Sequence, residues 1–340
     1  MRQLLIGDCH FGRHSNSVVW LENMLNFFNT QITDILDNKQ IDRVVFLGDL
    51  FESRYSTQTQ VGCEVKNLIR KFITKYTNID FIIIAGNHDF YDPKEEFHNY
   101  NMYDEIFGPE FVDYYDNLRI CVYGEYYDPF TKDLFLPWYS TDNFNTFQET
   151  IFKYKTAGIN NIFVHSDLVA WDASYKTLLD DNTQVWAGHI HYPVENGNYH
   201  IIGAAFSFDF SDVNSARYVY ILDNNKCIER IENITTPKFK RYYNEDIFTL
   251  SEEDFMNSII ELYIFNSNYN KARYVERIKY LEKNFAEYKF RKHIIDDSMG
   301  ESFELTYFNA NIDTYIDQNI PDYLNEKYTL VKERLKNKEN

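Results

Sequence analysis

The sequence has few of the features that mark secreted, membrane-bound or cross-linked proteins. Its 340 residues include only four cysteines, irregularly spaced and without a C-x-x-C, which suit reduced buried thiols better than a disulfide framework or a zinc cage. No apolar run approaches the roughly 20 residues that cross a bilayer, and the N-terminus lacks the zones of a signal peptide. These absences predict a cytoplasmic protein that does not contact a membrane.

Positive charge is also scarce. The chain has 34 Lys and Arg against 52 Asp and Glu, a formal net charge of -18. Affinity for nucleic acid usually comes from Lys and Arg that displace counterions, so the overall balance argues against simple nucleic-acid binding. The charge is uneven, however, because the stretch from Lys238 to Ile295 has 11 Lys and Arg against 9 Asp and Glu. Part of the acidity elsewhere is expected to serve metal binding.

Hydrophobic and aromatic residues, 44% and 18% of the chain, are abundant enough for a sizeable core. Over the first two thirds, short β-rich runs alternate with amphipathic helical stretches, which predicts an α/β fold with buried sheets. The predicted strands are 3–6, 43–47, 80–85, 162–165 and 184–187, and the predicted helices are 18–36 and 61–76.

The pattern changes after Thr236, where Pro237 follows a turn-like stretch. Beyond this point the sequence predicts a small α+β domain, with strands at 258–265 and 288–295 and a helix at 274–285. After Gly300, apolar residues recur at the spacing of two short amphipathic helices. We therefore expect three segments, residues 1–236, 237–300 and 301–340.

Five polar blocks each follow a predicted strand. Open α/β sheets gather their sites at the C-terminal ends of strands, so we expect these blocks to meet along one edge. Five of the nine histidines fall inside the blocks, and the other four (His14, His98, His200 and His293) are interpreted as surface or packing residues. The blocks are Gly7-Asp8-Cys9-His10, Gly48-Asp49-Leu50-Phe51-Glu52, Gly86-Asn87-His88-Asp89, His165 and Gly188-His189-Ile190-His191.

The blocks supply carboxylates, imidazoles and one amide oxygen. This mixed donor set suits Mn²⁺, Fe or Zn²⁺ better than Mg²⁺ or Ca²⁺. A single block of this kind is more often a helix cap or a packed turn, and it is the conjunction of blocks that favours a metal site. Two ions are the natural number, provided that one carboxylate bridges them, and Asp49 is the predicted bridge. The seven candidate ligands are Asp8, His10, Asp49, Asn87, His165, His189 and His191.

In this order the motifs D-x-H, G-D, G-N-H-D, H and G-H-x-H resemble the calcineurin-like metallophosphoesterase superfamily, over roughly residues 1–223. The resemblance implies a two-sheet β-sandwich flanked by helices. It also implies that His88 meets the scissile phosphate and assists the leaving oxygen, with Asp89 orienting His88. It assigns Asp8, His10, Asp49 and His191 to one metal, and Asp49, Asn87, His165 and His189 to the other.

Three segments look like the SbcD branch of that superfamily, whose nuclease subunits act with an SMC-like ATPase in double-strand-break processing. They are Gly48-Asp49-Leu50-Phe51, Leu136-Pro137-Trp138 and Ile202-Gly203-Ala204-Ala205. Residues 315–322 are similar to a stretch in the recombination endonuclease subunit of large tailed phages, which implies the host cytoplasm if the protein is phage-encoded. Glu52 departs from the archaeal and eukaryotic pattern, which has a histidine there.

This resemblance implies a Mn²⁺-dependent DNA exonuclease and single-strand endonuclease in DNA end processing, recombination and repair. It also implies a homodimer within a heterotetramer that contains an SbcC-type coiled-coil ATPase. From its local charge count, the middle segment is expected to cap the site and to contact DNA phosphates through residues such as Lys240, Arg241, Arg291 or Lys292, with ordinary surface charge as the alternative. The tail is expected to dock on the ATPase, with packing on the protein's own surface as the alternative. Its apolar residues are Ile312, Tyr315, Ile316, Leu324, Tyr328, Val331 and Leu335.

Two other functions remain open on the sequence. A fold and its metal site do not choose the substrate, so a small-substrate phosphatase or a cyclic-nucleotide phosphodiesterase of the same superfamily fits the motifs. A non-catalytic scaffold is the other alternative. Loss of a ligand would favour the scaffold, but all seven candidate ligands are present.

Overall fold

The computed structural model of the chain describes residues 1–91, 100–139, 144–166, 179, 182–213, 215–285 and 290–295. The chain divides into two compact units, the first comprising residues 1–238 and the second beginning at Phe239. The predicted ATPase-binding segment, residues 301–340, lies outside the described residues, as does His98. Within the described part, no helix is both long enough and apolar enough to cross a bilayer.

The first sheet of the first unit has the strand order β12-β11-β1-β2-β3-β4. Strands β1 to β4 run parallel, whereas β11 pairs antiparallel with both β1 and β12. Its strands are β1 (Arg2–Ile6), β2 (Arg43–Leu47), β3 (Asp80–Ile84), β4 (Leu118–Cys121), β11 (Tyr218–Asp223) and β12 (Lys226–Glu232).

The second sheet has the order β5-β6-β7-β8-β10-β9. Strands β6, β7, β8 and β10 are parallel, and β5 and β9 close the two edges in antiparallel pairs. Its strands are β5 (Tyr126–Asp128), β6 (Asp133–Tyr139), β7 (Asn161–Ser166), β8 (Gln184–Gly188), β9 (Val194–Asn196) and β10 (Tyr199–Ile201).

Alternate residues of the central strands pack into different cores. On β2, Val45 and Leu47 join the core between the two sheets, while Val44 and Phe46 pack beneath the helices. The inner core also contains Phe163 and Trp186 of the second sheet. A strand buried on both faces reads as a continuous apolar run, which explains why the sequence shows these strands so clearly. The two-sheet sandwich implied by the motif resemblance is confirmed.

Helices cover the outer faces of both sheets. Residues 18–36, predicted as one helix, are interrupted by a π-helical turn at Phe28–Ile32, where Thr33 Oγ1 donates to the Phe28 carbonyl five residues earlier. The helical segments of this unit are α1 (Arg13–Asn16), α2 (Val18–Phe27), α3 (Thr33–Asn38), α4 (Thr59–Lys75), α5 (Met102–Ile106), α6 (Pro109–Tyr114), α7 (Phe144–Lys155) and a 3-10 turn at Phe210–Asp212.

The second unit has its own three-stranded sheet in the order β13-β14-β15 and its own apolar core. Strands β14 and β15 run parallel, and α10 buries Tyr274, Ile278 and Leu281. Its elements are β13 (Lys238–Tyr243), a 3-10 turn at Asn244–Phe248, α8 (Glu252–Asn257), β14 (Ser258–Phe265), α9 (Asn266–Tyr269), α10 (Ala272–Asn284) and β15 (Phe290–Ile295).

A buried ionic network joins the two sheets at the N-terminal ends of β2 and β6. The Arg43 guanidinium on β2 donates to Asp133 on β6 at 3.0 Å and to Asp128 on β5 at 2.5 Å. Gln3 and Asn161 donate to the remaining sites of the Asp133 carboxylate at 2.9 and 2.7 Å. The Arg43 side chain is 3% exposed, so its charge depends on these partners.

Replacement of Arg43 by Met should destabilise the first unit by about 3–5 kcal/mol, because it leaves two carboxylates buried without their cation. The free energy of unfolding in urea measures this change. A control is Lys153→Met, which breaks an ion pair between the exposed Lys153 and Glu125 and should change the free energy of unfolding far less than Arg43→Met. Equal effects of the two substitutions would show that the Arg43 network does not hold the sheets together.

Candidate metal centre

The five polar blocks lie at the C-terminal ends of strands from both sheets. Asp8 and His10 follow β1, Asp49 follows β2, and Asn87 follows β3 in the first sheet, while β7 and β8 of the second sheet supply the remaining blocks. The expectation of a single edge was therefore incomplete. Parallel strands of both sheets end on the same side of the sandwich, so the edges of two sheets contribute the site.

The backbone at these strand ends is unusual. Four candidate ligands have positive φ angles, 24° at Asp8, 53° at His10, 47° at Asp49 and 87° at His189. Non-glycine residues in such conformations each cost about 1–3 kcal/mol and persist only where the surroundings determine them. Their concentration at one place supports a functional role for the site.

Two glycines allow the blocks to approach each other. Gly48 has φ of 91°, and a Cβ atom there would lie 2.2 Å from Nδ1 of His165. A Cβ atom on Gly86 would lie 2.2 Å from Oδ1 of Asp49. Side chains at these positions would push apart the strand ends that carry the candidate ligands.

The first cluster joins Asp8, His10 and His191, whose ligand atoms are mutually close enough to hold one metal ion. Nε2 of His10 lies 3.1 Å from Nε2 of His191. Asp8 uses Oδ1 to accept the His189 amide at 2.9 Å, whereas its buried Oδ2 has no hydrogen-bond partner. A cation between these groups would satisfy that oxygen.

The second cluster joins Asp49, His165 and His189, with the Asn87 amide beside them. Oδ1 of Asn87 lies 3.1 Å from Nε2 of His165 and 2.9 Å from Nδ1 of His189. Nδ1 of His165 donates to the Leu47 carbonyl at 2.6 Å, so Nε2 is the nitrogen that faces the cluster and becomes available to an ion when its proton is displaced. A second hydrogen bond of this kind is how proteins fix a ligating imidazole.

Asp49 lies between the two clusters. Its Oδ2 is 3.6 Å from Nε2 of His10 and 3.4 Å from Nε2 of His165. Its Oδ1 accepts the His88 amide at 2.8 Å, which fixes the carboxylate plane. The nitrogen and oxygen donors, the absence of a thiolate among them and the unsatisfied oxygen of Asp8 all fit a pair of divalent ions.

Burial and charge set the proton affinities of these groups. Burial raises the pKa of Asp8 to about 7, although the neighbouring His165 opposes the rise. Burial also acts to lower the pKa of His165, but the carboxylates of Asp49 and Asp8 outweigh it and raise that pKa to about 9. Burial together with neighbouring imidazoles lowers the pKa of His189 to about 3 and that of His191 to about 2. The last two rings are therefore neutral, as ligands must be.

His88 lies beside the first cluster, with its ring centroid 5.0 Å from that of His10. Its Nδ1 donates to the Glu52 carbonyl at 2.6 Å, so a backbone carbonyl, rather than Asp89 as expected, sets the tautomer. The Asp89 carboxylate instead accepts the amides of Gly86 and Phe51 at 2.8 and 3.0 Å. Asp89 thus ties together the loops after β2 and β3.

Two residues near the site were not singled out as functional by the sequence analysis. Glu52 forms a third cluster with His10 and His88, and Arg13 pairs with the Glu52 carboxylate at 2.6 Å. Glu52 stands within the second block and Arg13 three residues after His10. Their proximity in sequence was the available signal, but it did not show which atoms would meet.

The four basic residues proposed as DNA contacts lie on β13 and β15 of the second unit. Lys240 pairs with Asp254 at 3.2 Å and Arg241 with Glu261 at 3.0 Å. Lys292 pairs with Glu282, and Arg291 is exposed. Much of the local positive charge is therefore partly balanced by neighbouring acids.

Residues 1–193 match the family described as calcineurin-like phosphoesterase. This match covers more than half of the chain, and the chain belongs to that family. The resemblance drawn from the order of the motifs is confirmed, and the family's use of divalent metals agrees with the two clusters of candidate ligands.

Among individual proteins, the chain is similar to archaeal proteins named DNA double-strand break repair protein Mre11. The one from Methanosarcina mazei is 38% identical over 90 residues, which are 26% of this chain and 14% of that protein. The one from Sulfolobus acidocaldarius is 32% identical over 106 residues, 31% of this chain and 27% of that protein. The one from Saccharolobus solfataricus is 33% identical over 90 residues, which are 26% of this chain and 23% of that protein. The matched segments therefore span only about a quarter or less of these relatives.

Metal binding near neutral pH should release protons, because ligands must be deprotonated to bind a metal. His165 holds its proton up to about pH 9 and Asp8 up to about pH 7 in the metal-free protein. The affinity for Mn²⁺ should accordingly fall as the pH decreases, by up to about tenfold per pH unit for each displaced proton. Calorimetric titration in two buffers of different ionisation enthalpy measures the release.

His165→Gln should remove most of the proton release, whereas His200→Gln, a change in a half-buried ring stacked on Trp186, should leave it intact. Binding heats that do not depend on the buffer would contradict these protonation states.

Proposed function

We propose that this chain is a two-metal phosphodiesterase that cleaves DNA, acting as a Mn²⁺-dependent exonuclease and single-strand endonuclease. The observation that carries the proposal is the position of Asp49, whose Oδ2 lies within 3.6 Å of imidazole nitrogens from both clusters. One carboxylate shared by two ion pockets is the arrangement used by two-metal hydrolases of phosphate esters. His88, the candidate general acid, lies next to His10 of the first cluster.

The metal ligands, His88 and Asp89 have different roles in the proposed hydrolysis of the phosphodiester. Bound divalent ions would supply Lewis-acid chemistry, activating water and neutralising charge on the phosphate. His88 keeps a proton on Nδ1 through the Glu52 carbonyl, so Nε2 is the atom that exchanges a proton with the leaving oxygen. As a water oxygen bonds to phosphorus and the P–O3′ bond breaks, a proton carried on Nε2 of His88 passes to the departing 3′-oxygen, and the other product keeps a 5′-phosphate. Asp89 positions the backbone that carries His88.

Similarity to proteins named for DNA double-strand break repair supports DNA as the substrate. These matches cover between 26% and 31% of this chain, so they do not bear on the whole chain. Mn²⁺ is the proposed ion because the donors are nitrogen and oxygen and the chemistry needs no redox change. A small-substrate phosphatase is the alternative that the metal site alone would also allow.

Purified protein with Mn²⁺ should hydrolyse both bis-p-nitrophenyl phosphate and an end-labelled DNA duplex. Turnover of p-nitrophenyl phosphate without turnover of either diester would reject the nuclease and favour a phosphatase.

His88→Ala should lower the hydrolysis of the duplex by about 10²–10⁴-fold, the usual contribution of a general acid, and should keep both ions. Asp49→Ala should lose both ions. Metal content measured by mass spectrometry separates these roles, and loss of Mn²⁺ from His88→Ala would contradict them.

The second unit is proposed to contact DNA phosphates through Lys240, Arg241, Arg291 and Lys292. If it does, changing these four residues to Gln should weaken DNA binding and reduce the slope of log affinity against log salt by about 0.9 per lost phosphate contact. Hydrolysis of bis-p-nitrophenyl phosphate should persist. The matched control changes Lys271 and Lys279 on the same unit, and equal salt slopes for both variants would reject the contact.

The tail, residues 301–340, is proposed to bind an SbcC-type ATPase through its amphipathic helices. This docking would place the nuclease beside the ATPase, in a heterotetramer that contains two copies of this chain and two of the ATPase. These partners remain predictions from the sequence pattern and from the family resemblance.

A further inference from the structure

Glu52 touches three parts of the candidate site with three different groups. Its amide donates to the Phe11 carbonyl at 3.0 Å, and its carbonyl accepts Nδ1 of His88 at 2.6 Å. Its carboxylate places Oε2 at 2.8 Å from Nδ1 of His10 and Oε1 at 2.6 Å from the Arg13 guanidinium. No other residue of the described chain touches both His10 and the Nδ1 atom of His88 in this way.

The contact with His10 joins two buried atoms. Nδ1 of His10 and Oε2 of Glu52 are both buried and lie 2.8 Å apart, and neither forms a well-aligned hydrogen bond with any described residue, including the other. On the other side of the ring, Nε2 of His10 faces Nε2 of His191 at 3.1 Å and Oδ2 of Asp49 at 3.6 Å. The imidazole therefore lies between the Glu52 carboxylate and the first ion pocket.

We propose that Glu52 is a positioning residue for the first metal ion. Its carboxylate holds the proton of His10 on Nδ1, which leaves the Nε2 lone pair directed at the ion. Carboxylates behind ligating histidines fix the ring and strengthen metal binding, and their loss typically lowers affinity by about 10–100-fold. The inference rests on the metal site of the proposed function, but not on the choice of DNA as substrate.

Arg13 keeps the Glu52 carboxylate in place. Its guanidinium also reaches Asp209 at 3.3 Å, and it lies over the Phe208 ring at 5.3 Å from the centroid. The same Phe208 ring packs edge-on against His10 with centroids 5.1 Å apart. Both Glu52 oxygens are thus engaged, one by Arg13 and one by His10, which favours an orienting carboxylate over a direct metal ligand.

The carbonyl and the carboxylate of Glu52 serve different residues, and substitution separates them. Any side-chain change keeps the main-chain carbonyl that holds His88. The effect of a Glu52 substitution should therefore appear in the binding of one ion, while the contact that sets the His88 tautomer is retained.

Calorimetric titration of the metal-free protein with Mn²⁺ tests this role in wild type, Glu52→Ala, Glu52→Gln and the control Asp209→Asn. Glu52→Ala should lower the affinity for one of two ions by about 10–100-fold and leave the other within about twofold. Glu52→Gln retains an acceptor oxygen of the same reach and should recover part of the loss. Asp209→Asn removes the other partner of Arg13 without touching His10, so both affinities should stay within about twofold.

Two results would overturn the proposal. If both affinities are unchanged in Glu52→Ala, the carboxylate does not act on the ion. If one ion is lost even at saturating Mn²⁺, with unfolding temperature of the metal-free protein unchanged, Glu52 is a direct ligand. The Mn²⁺ concentration for half-maximal hydrolysis of bis-p-nitrophenyl phosphate should rise by the same factor as the dissociation constant. A wild type that cleaves no phosphodiester would reject the proposed function, while the calorimetry would still decide the role of Glu52.

Discussion

The Asp49 carboxylate is held ionised in the interior of the protein, and the rest of the site is arranged around that charge. The residue is 1% exposed, and burial alone would raise its pKa. Contacts with the imidazoles of His165, His10 and His88 outweigh burial and hold the pKa of Asp49 well below its usual range. A buried anion needs compensating positive charge, which the proton on His165, whose pKa is raised to about 9, supplies in the metal-free protein. Divalent ions can supply the same charge while freeing the imidazoles to act as ligands.

The left-handed backbone at Asp8, His10, Asp49 and His189 works against the stability of the fold. At about 1–3 kcal/mol for each residue, this strain is comparable with the whole free energy of folding of an ordinary domain, about 5–15 kcal/mol. The sandwich core and the Arg43 network at the other ends of the strands must offset it. Ions that bind only the folded arrangement would also stabilise it.

Much of the fold follows from local patterns in the sequence. The strand at Arg43–Leu47 was predicted with its observed limits because both faces are buried, which gives an unbroken apolar run. The π-helical turn at Phe28–Ile32 was missed, since one extra residue in a turn barely disturbs the helical spacing of apolar residues. The polar blocks of the site were found because each of them follows an apolar run that predicts a strand.

Contacts between distant residues could not be read in the same way. The sequence placed the blocks at strand ends, but their arrangement on two sheets depends on strand order, which apolar patterns do not encode. The pairing of Glu52 with His10 depends on the path of the loop after β2. The same loop path brings the Glu52 carbonyl, rather than the Asp89 carboxylate, to Nδ1 of His88. The charge count for the second unit likewise overlooked that Lys240 and Arg241 have acidic neighbours.

The location of the site across two sheets has a consequence for synthesis on the ribosome. His10 and His191 meet although they are 181 residues apart, and β1 pairs on one side with β11, which begins at Tyr218. Contacts of such long range form late, after local structure and after loop closure. A nascent chain that has folded only its first strands and helices would therefore have Asp8, His10 and Asp49 but no complete ion pocket. Such a partly made chain lacks the residues that complete both clusters of candidate ligands, and the clusters assemble only once both sheets have formed.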